Sequence, residues 1–510
     1  MADEPNEVEL AQVIRGRNKK AANAGAAADM EAGAGSSSEK LPAPVASSHL
    51  QAVRNWWTML RLHFGDGLLL QIFFVYFTQG IRSTLCSLGT SYYLNETLAL
   101  PPAQSEALRG TAAIPWIIKP IYGILSDSVP IWGTRRKSYL LIFSAISALA
   151  YIALSVPGLI TTYHSALVAL VVASLGIAFC DVVVEAARTE RDDMAGNLQT
   201  LSWISLSIGS VLGSMISGFA LNSLGPQGVF FLSALGPICV VFISINMHEE
   251  TFRVNHDHSF LRTVSDQCRT LAQVVVDPVC WRPMLWIFLS NALPPSLGEA
   301  MFSFKTNELA FSKSFLGFIS TVGSITLLGT TALYNAYFRD MPFRSMFFRI
   351  QVASALVSLA EFVLVARWNV AWGIGDRFFI FGDEILSDVV ARLKHMPSLV
   401  LCAKICPPGI EGTMFALLMS IYNFSWSIAS YGGSWLCTYL QISKANFSGL
   451  AMAVTIRSLA KMVPLLLLFM VPATTSIHSS SSATTSAPNS SNSKHKDDEE
   501  EAQSSADLKV

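Results

Sequence analysis

The chain has 510 residues, of which 51% are hydrophobic and 14% charged, and its formal net charge is −1. Soluble domains carry about 25% charged residues, so this composition, with a mean hydropathy of +0.43, predicts a polytopic membrane protein. The near-zero charge argues against a nucleic-acid binder, and the 30 Phe and 11 Trp residues argue against a wholly disordered chain. The eight cysteines show no CxxC spacing, which favours free thiols.

The two ends of the chain differ in composition from its centre. Residues 1–61 are rich in Ala, Gly and Ser, and residues 474–510 form a Ser/Thr-rich tail with an acidic run. Such segments bury too little apolar surface to offset the entropy of ordering, so we predict two disordered tails. The first segment has no apolar signal-peptide core, and its acidic opening differs from a transit peptide. We therefore expect no clear targeting segment.

Between the tails lie apolar segments of about 20 residues, the length that crosses a ~30 Å hydrocarbon core. We count twelve and predict an all-α polytopic membrane protein with twelve transmembrane helices. A polar central loop, residues 248–283, separates an N-terminal six-helix half, 62–247, from a C-terminal six-helix half, 284–473. Two six-helix halves are the arrangement of the major facilitator fold.

Lys and Arg residues concentrate in alternate loops. The loops after predicted helices two, four and eight and the central loop are basic, whereas the loops after helices three, five and eleven hold one lysine, Lys444. Because basic loops stay on the cytoplasmic side, we expect both termini and the central loop on the cytoplasmic or stromal face.

The second predicted helix contains a lysine between two breaks. Pro115 and Pro120 each remove a backbone hydrogen bond and kink the helix, and Lys119 lies between them. If the helix begins near residue 107, Lys119 lies about 18 Å along it. Two roles fit this position: binding a substrate carboxylate, or extending its ammonium toward the membrane surface.

A gate pattern follows this helix. Gly123, Asp127, Gly133, Arg135 and Arg136 occur in the order of the major facilitator loop signature, with a short insertion before Gly133 and no cation directly after Asp127. A carboxylate at a helix end beside arginines predicts a charge lock that opens when the halves rock. The alternative is ordinary basic residues in a cytoplasmic turn.

The fourth helix carries three charges on one face, since Asp181, Glu185 and Arg188 are spaced i, i+4 and i+7. A carboxylate here can accept two hydrogen bonds from the adjacent N–H groups of a planar heterocycle. An intramolecular ion pair at the gate is the equally weighted alternative.

Two further proline pairs predict helix breaks. Pro294 and Pro295 interrupt the seventh helix, and Glu299 beside them is a candidate proton carrier because burial favours the neutral form of a carboxyl group. Pairing with Lys305 or a place in an outer vestibule are the alternatives for Glu299. Pro407 and Pro408 predict a helix stop and restart.

The tenth helix is the least regular, since its first part carries Asp383, Glu384, Asp388 and Arg392. Either one long helix has its polar part inside the protein, or an interfacial helix leads into a short span.

Five segments carry a narrower resemblance. They are IPWIIKPIYG (114–123), DVVVEAAR (181–188), QTLSW (199–203), NALPPS (291–296) and CPPGIEGT (406–413). With the gate pattern, they resemble the folate–biopterin transporter family over residues 60–470. The resemblance implies a twelve-helix major facilitator fold that moves folates, pterins or related compounds.

We therefore predict a secondary active transporter, not an enzyme, with a small organic-anion substrate and proton coupling as one option. No phosphate-binding GxxxxGK[ST] motif, clustered histidines or TVGYG filter is present, and we expect no cofactor, metal or nucleic-acid partner. The partners are then the substrate and the lipid bilayer. The alternatives are a major facilitator for another metabolite, or a transporter-shaped scaffold or sensor. The sequence leaves the membrane and the oligomeric state open.

Overall fold

The computed structural model describes residues 49–189, 195–247, 249, 269, 276–338, 341–405 and 411–472. The described residues from 60 onward form one compact unit, and the described residues 49–59 belong to a second. Within the described residues the chain is helical, with only two isolated bridges in turns. The five cysteines described at the side-chain level are free thiols.

We define the N-terminal half by its helices. They are α1 (His49–Tyr92), α2 (Pro102–Ala112), α3 (Lys119–Ser128), α4 (Lys137–Ser155), α5 (Tyr163–Thr189) and α6 (Ala195–Ile245). A π-helical turn, Tyr93–Thr97, extends α1, and a 3₁₀ turn, Ile114–Trp116, lies between α2 and α3.

The C-terminal half has nine described helices. They are α7 (Pro278–Ala292), α8 (Gly298–Ser303), α9 (Lys313–Leu333), α10 (Phe343–Val365), α11 (Trp368–Ala371), α12 (Asp376–Ile405), α13 (Glu411–Tyr439), α14 (Leu450–Ala460) and α15 (Val463–Leu466). π-helical turns, Phe304–Glu308 and Tyr334–Phe338, extend α8 and α9, and a 3₁₀ turn, Leu468–Met470, follows α15.

Five helical runs of the described chain are both long and apolar enough to cross a bilayer. They are Arg54–Thr97, Lys137–Ser155, Tyr163–Glu185, Asn197–Ile245 and Phe343–Val365. The fourth has 49 residues and so measures about 70 Å, enough for two spans. Its residue Gly225 has φ +70°, outside the helical range, and lies between the fifth and the sixth predicted transmembrane helices.

Proline residues interrupt two of the other predicted spans. Pro115 lies in the 3₁₀ turn between α2 and α3, and Pro294 and Pro295 lie between α7 and α8. The irregular tenth segment is one helix, α12, with Pro397 inside it, so the first of the two arrangements considered for it is the one observed. The all-α fold is as predicted, while the count of twelve spans stays a prediction.

Apolar side chains cover the outside of the bundle. On α6 the exposed residues Ile208, Leu212, Met215 and Phe219 follow the three-to-four residue spacing of one helix face. A soluble protein rarely exposes such a stripe, whereas acyl chains solvate it well.

Packing within each half is dense, and among the described helices two pairs make the most extensive contacts between the halves. In the N-terminal half α4 packs on α5 and α6, and in the C-terminal half α12 packs on α9 and α10. Between the halves, α6 packs on α9 and α2 packs on α13. A Cβ atom on Gly317 would lie 2.5 Å from the Cα of Gly218, so α9 and α6 meet backbone to backbone. This close approach requires glycine.

Candidate functional site

A central cavity of 590 Å³ lies between the two halves. Helices α1 and α2 line it from the N-terminal half, and α8, α9, α12 and α13 from the C-terminal half. The charged residues of its wall are Glu106, Arg109, Glu299, Lys305 and Glu384. Both halves therefore supply charge to one cavity.

The guanidinium of Arg109 joins three helices at this cavity. Its Nη1 lies 2.9 Å from Oε1 of Glu299 and donates to Oγ of Ser91 over 3.0 Å. The Ser91 hydroxyl in turn donates to Glu299 Oε1 over 2.8 Å. Since the Glu299 side chain is 6% exposed, its charge depends on these partners. Glu299 thus pairs with Arg109, and the pairing with Lys305 considered from the sequence is not the one observed.

The helix break beside Glu299 is held by groups from both halves. Glu106 Oε1 accepts a hydrogen bond from the backbone N–H of Glu299 over 2.7 Å, and its Oε2 accepts from the Ser296 hydroxyl over 3.1 Å. The backbone N–H of Ser296 donates to Ala429 O on α13 over 2.8 Å. The break therefore exposes backbone donors, and an acidic side chain of the opposite half satisfies one of them.

A second ion pair faces the same cavity. Lys305, in the turn after α8, pairs with Glu384 of α12. The Lys305 side chain is 14% exposed and that of Glu384 33%. The cavity therefore holds two ion pairs and one further carboxyl group, that of Glu106.

The predicted Lys119 site is a separate cluster inside the N-terminal half. Lys119 Nζ lies 2.6 Å from Oδ2 of Asp181 and 3.7 Å from Oε2 of Glu185, and it lies over the ring of Trp116. Lys119 and Asp181 are both buried. The structure thus brings three of the four predicted residues together, and the side chain of Arg188 lies outside the described part of the chain.

The gate pattern forms contacts of differing strength. Asp127 lies 4.0 Å from Arg136, whose Nη1 also donates to Val183 O over 3.0 Å. Gly133 has φ +76°, in the left-handed region that favours glycine, and a Cβ on Gly123 would lie 3.6 Å from Val182. Arg136 therefore lies beside Asp127, as a charge lock at this end of the protein requires.

An acidic residue that the sequence did not indicate binds the backbone of this gate region. Glu249 accepts hydrogen bonds from the backbone N–H groups of Arg135, Arg136 and Lys137 over 2.7–3.1 Å. These N–H groups open α4, and a carboxylate at a helix N-terminus is favourable. We call this end of the bundle the Arg136 end.

The opposite end, which we call the Asn95 end, holds the two halves together. Asn95 Nδ2 donates to Thr306 Oγ1 over 3.0 Å, and Lys313 Nζ lies 2.6 Å from Glu96 Oε2. Asn222 Nδ2 donates to Ser314 Oγ over 2.6 Å, and Lys444 contacts the backbone oxygen of Asn95. The cavity begins one to two helical turns inward from this layer.

The sequence did not indicate Glu106, Arg109 or Glu249 as functional candidates, and it drew attention to Lys305 and Glu384 without placing them in a cavity. Glu106 and Arg109 are three residues apart, and α2 begins at Pro102, earlier than the expected start near residue 107. That earlier start places both residues inside the helix. Pro407 and Pro408 lie outside the described residues.

Comparison with known proteins identifies the family. The BT1 family matches residues 79–491. "Probable folate-biopterin transporter 4" of Arabidopsis thaliana is 32% identical over 484 residues, covering 82% of this chain and 98% of that protein. The "Folate-biopterin transporter" of Synechocystis is 34% identical over 410 residues, covering 79% of this chain and 82% of that protein.

Solved structures with a similar fold are membrane transporters. A D-xylose–proton symporter matches with a TM-score of 0.57 and 15% identity, covering 80% of this chain and 97% of its own. A peptide transporter POT in complex with alafosfalin matches with a TM-score of 0.60 and 14% identity, covering 80% and 95%. These likenesses confirm the major facilitator fold. The chain is an integral membrane transporter that belongs to the BT1 family.

Proposed function

We propose that the central cavity binds a folate, a pterin or a related organic anion, and that the protein is a secondary active transporter of that compound. The observation that carries this proposal is the set of opposed charges that both halves direct into one cavity. The names of relatives at 32% and 34% identity support the substrate class. A cavity of 590 Å³ is within the size range of small-molecule sites.

The charges of the cavity match the two ends of such a compound. A pteridine ring offers adjacent N–H donors, which the carboxylate of Glu106 or Glu299 can accept in pairs. A glutamyl tail offers carboxylates that bind Arg109 or Lys305. Because each cation already has an acidic partner, a substrate carboxylate competes with that acid for the cation, and the displaced acid can then accept the ring N–H donors.

Transport then requires that the two ends of the bundle open in turn. The contacts of Asn95 with Thr306 and of Glu96 with Lys313 close the Asn95 end. Rocking of residues 62–247 against residues 284–473 would open this end. The distribution of Lys and Arg supports a cytoplasmic or stromal Arg136 end, with both termini on that side.

We infer that the Lys119–Asp181–Glu185 cluster has a structural role and stabilises the folded N-terminal half beside the gate. The supporting observation is its closed geometry, since Lys119 already contacts both acids and the ring of Trp116. Direct binding of a glutamyl tail by Lys119 is the competing assignment, and the abundance and uptake of a Lys119→Gln variant distinguish the two.

Uptake by a host that lacks folate transport tests the proposal. Labelled folic acid, which has the glutamyl tail, is compared with an unconjugated pterin in wild type, Arg109→Gln and Lys305→Gln. A charge-assisted hydrogen bond is worth about 1.5–3 kcal/mol, so the loss of the tail-binding cation weakens folate affinity roughly ten- to a hundredfold and pterin affinity far less. Arg61→Gln is the matched control because Arg61 forms an exposed pair with Asp66 away from the cavity.

Variants of the acids that are proposed to bind the pteridine ring should give a different result. Glu106→Gln or Glu299→Gln weakens both compounds, since both contain the ring. Unchanged affinity for both compounds in all four cavity variants would contradict the cavity as the substrate site.

A further inference from the structure

A second group of buried charges lies behind the cavity wall in the C-terminal half. Three acidic and three basic residues interact electrostatically there, and they come from the turn after α8 and from α10, α12 and α14 with the residue that follows it. They are Lys305, Glu361, Asp383, Glu384, Arg457 and Lys461. We call this group the C-terminal charge cluster.

Two of its three acids have a basic partner in direct contact. Glu361 pairs with Arg457, and Glu384 pairs with Lys305. Lys461 Nζ donates instead to the backbone oxygen of Ser354 over 3.3 Å. A basic residue in direct contact therefore neutralises the charges of Glu361 and Glu384, but not the charge of the third acid.

That third acid is Asp383. It is 8% exposed, and among the described residues its Oδ1 has no hydrogen-bond partner. Glu361 and Glu384 repel a negative charge at this position, while Lys305, Arg457 and Lys461 attract one. An ionised carboxylate without a direct partner is costly in a buried site, and binding a proton removes that cost.

We propose that Asp383 binds the proton that drives transport. The Asp383 carboxylate takes up one proton from the Asn95 side, becomes a neutral carboxyl group and releases the same proton toward the Arg136 side. Glu299 is the weaker candidate, since Arg109 and Ser91 already satisfy its charge. This inference rests on the proposed transport function.

The neighbouring residue connects this site to the substrate cavity. Glu384 follows Asp383 directly, lines the cavity and pairs with Lys305. When Asp383 is ionised, it competes with Glu384 for Lys305; when Asp383 is protonated, that competition ends. Proton binding therefore changes the charge that the substrate meets at Lys305.

The test uses full-length protein in liposomes with labelled folic acid. Two quantities are measured: accumulation driven by a pH difference of one unit, and exchange of labelled for unlabelled substrate without a gradient. One proton per substrate supports about tenfold accumulation. We expect Asp383→Asn to lower accumulation to about onefold while exchange stays within about twofold of wild type.

Asp376→Asn is the control, since Asp376 lies on the same helix but has a direct basic partner, with Arg367 Nη1 3.0 Å from its Oδ1. We expect it to keep both activities. Wild-type accumulation in Asp383→Asn would overturn the proposal, and so would equal loss of accumulation and exchange in folded Asp383→Asn protein.

A second measurement needs no variant. Dicyclohexylcarbodiimide reacts with protonated carboxyl groups in apolar sites, and peptide mass spectrometry locates the product in wild-type protein. Modification of Asp383 that declines as the pH rises supports the proposal, and absence of modification at pH 6 overturns it. If wild type exchanges no folate or pterin, the proposed function fails, whereas the labelling of Asp383 still decides the proton site.

Discussion

Glu249 and Lys137 hold the ends of two helices against each other. The Glu249 carboxylate accepts the backbone N–H of Lys137 over 2.7 Å at the start of α4, and the Lys137 ammonium donates to Ile245 O and Met247 O at the end of α6. An acid therefore meets the positive end of one helix dipole and a cation meets the negative end of another. The start of the central loop is fixed to the gate region by this reciprocal contact.

Loss of the Glu249 carboxylate should loosen this contact. We expect Glu249→Ala to lower the free energy of unfolding by about 1–2 kcal/mol, because a helix cap is removed from three backbone N–H groups. Thermal unfolding of the detergent-solubilised protein measures the change. Glu308→Ala, at an exposed position, serves as the control, and equal melting temperatures for the two variants would contradict the capping role.

Removing the negative charge of Asp127 at the gate should affect transport more than folding. The Asp127 side chain is 54% exposed and 4.0 Å from Arg136, so we expect Asp127→Asn to keep normal abundance, since exposed pairs contribute little to stability. Transport kinetics should change because the inward–outward equilibrium shifts. We expect the same of Arg135→Gln.

Arg136→Gln should behave differently, because this guanidinium is buried and donates to Val183 O. We expect reduced abundance as well as altered transport. Normal transport kinetics in both Asp127→Asn and Arg135→Gln would refute a gating role for this segment.

The Lys119 cluster distinguishes structural support from substrate binding. If Lys119 supports the N-terminal half, Lys119→Gln leaves Asp181 buried without its 2.6 Å partner, at a cost of about 3–5 kcal/mol. Folded protein should then decrease, and the double variant Lys119→Gln with Asp181→Asn should restore abundance and uptake together. Fluorescence-detected size-exclusion chromatography and uptake measure both quantities.

The competing assignment gives another pattern for the same variants. If Lys119 binds a glutamyl tail, Lys119→Gln keeps normal abundance and loses folate affinity while pterin affinity persists. The double variant then stays defective for folate.

Two adjacent glycines on α13 should differ sharply in their tolerance of a methyl group. A Cβ on Gly433 would lie 1.7 Å from Ser296 O, whereas one on Gly432 would lie 3.9 Å from Pro295. We expect Gly433→Ala to displace the α7–α8 break, with Glu299 and Ser296, and to cost about 1–3 kcal/mol. Gly432→Ala should retain uptake and melting temperature, and equal behaviour of the two variants would contradict the close packing of α13 on the break.

Membrane orientation is testable with single cysteines at Ala24 and Asp266. We expect both to be protected from an impermeant thiol reagent in intact cells if the protein lies in the plasma membrane, because the basic loops place them inside. A cysteine at Asn446, in the turn after α13, should react from outside. Labelling of Ala24 or Asp266 cysteines in intact cells would contradict the predicted topology.

The sequence was sufficient for the fold because a bilayer fixes the length and polarity of every crossing helix. It was less informative for the site. Arg109 was overlooked because a charge close to an expected helix end resembles an ordinary flanking residue. The partner of Glu299 lies 190 residues earlier in the chain, and hydropathy carries no information about such tertiary pairing. The Lys119–Asp181 contact joins residues 62 apart, so the sequence placed both charges in the membrane without revealing that they meet.

The glycine contact between α6 and α9 lies much closer to the Asn95 end of the bundle than to the Arg136 end, so it can act as an off-centre pivot between the two halves. Gly218 lies seven residues from Gly225, about 10 Å along the helix, and 23 residues from Ala195, about 35 Å. Since Gly218 and Gly317 bring the two helix backbones into contact, a tilt of one half against the other turns about this point. A tilt that parts the Asn95 end by a small distance therefore moves the Arg136 end more than three times as far, and breaking a few short polar contacts at one end is enough to produce a wide displacement at the other.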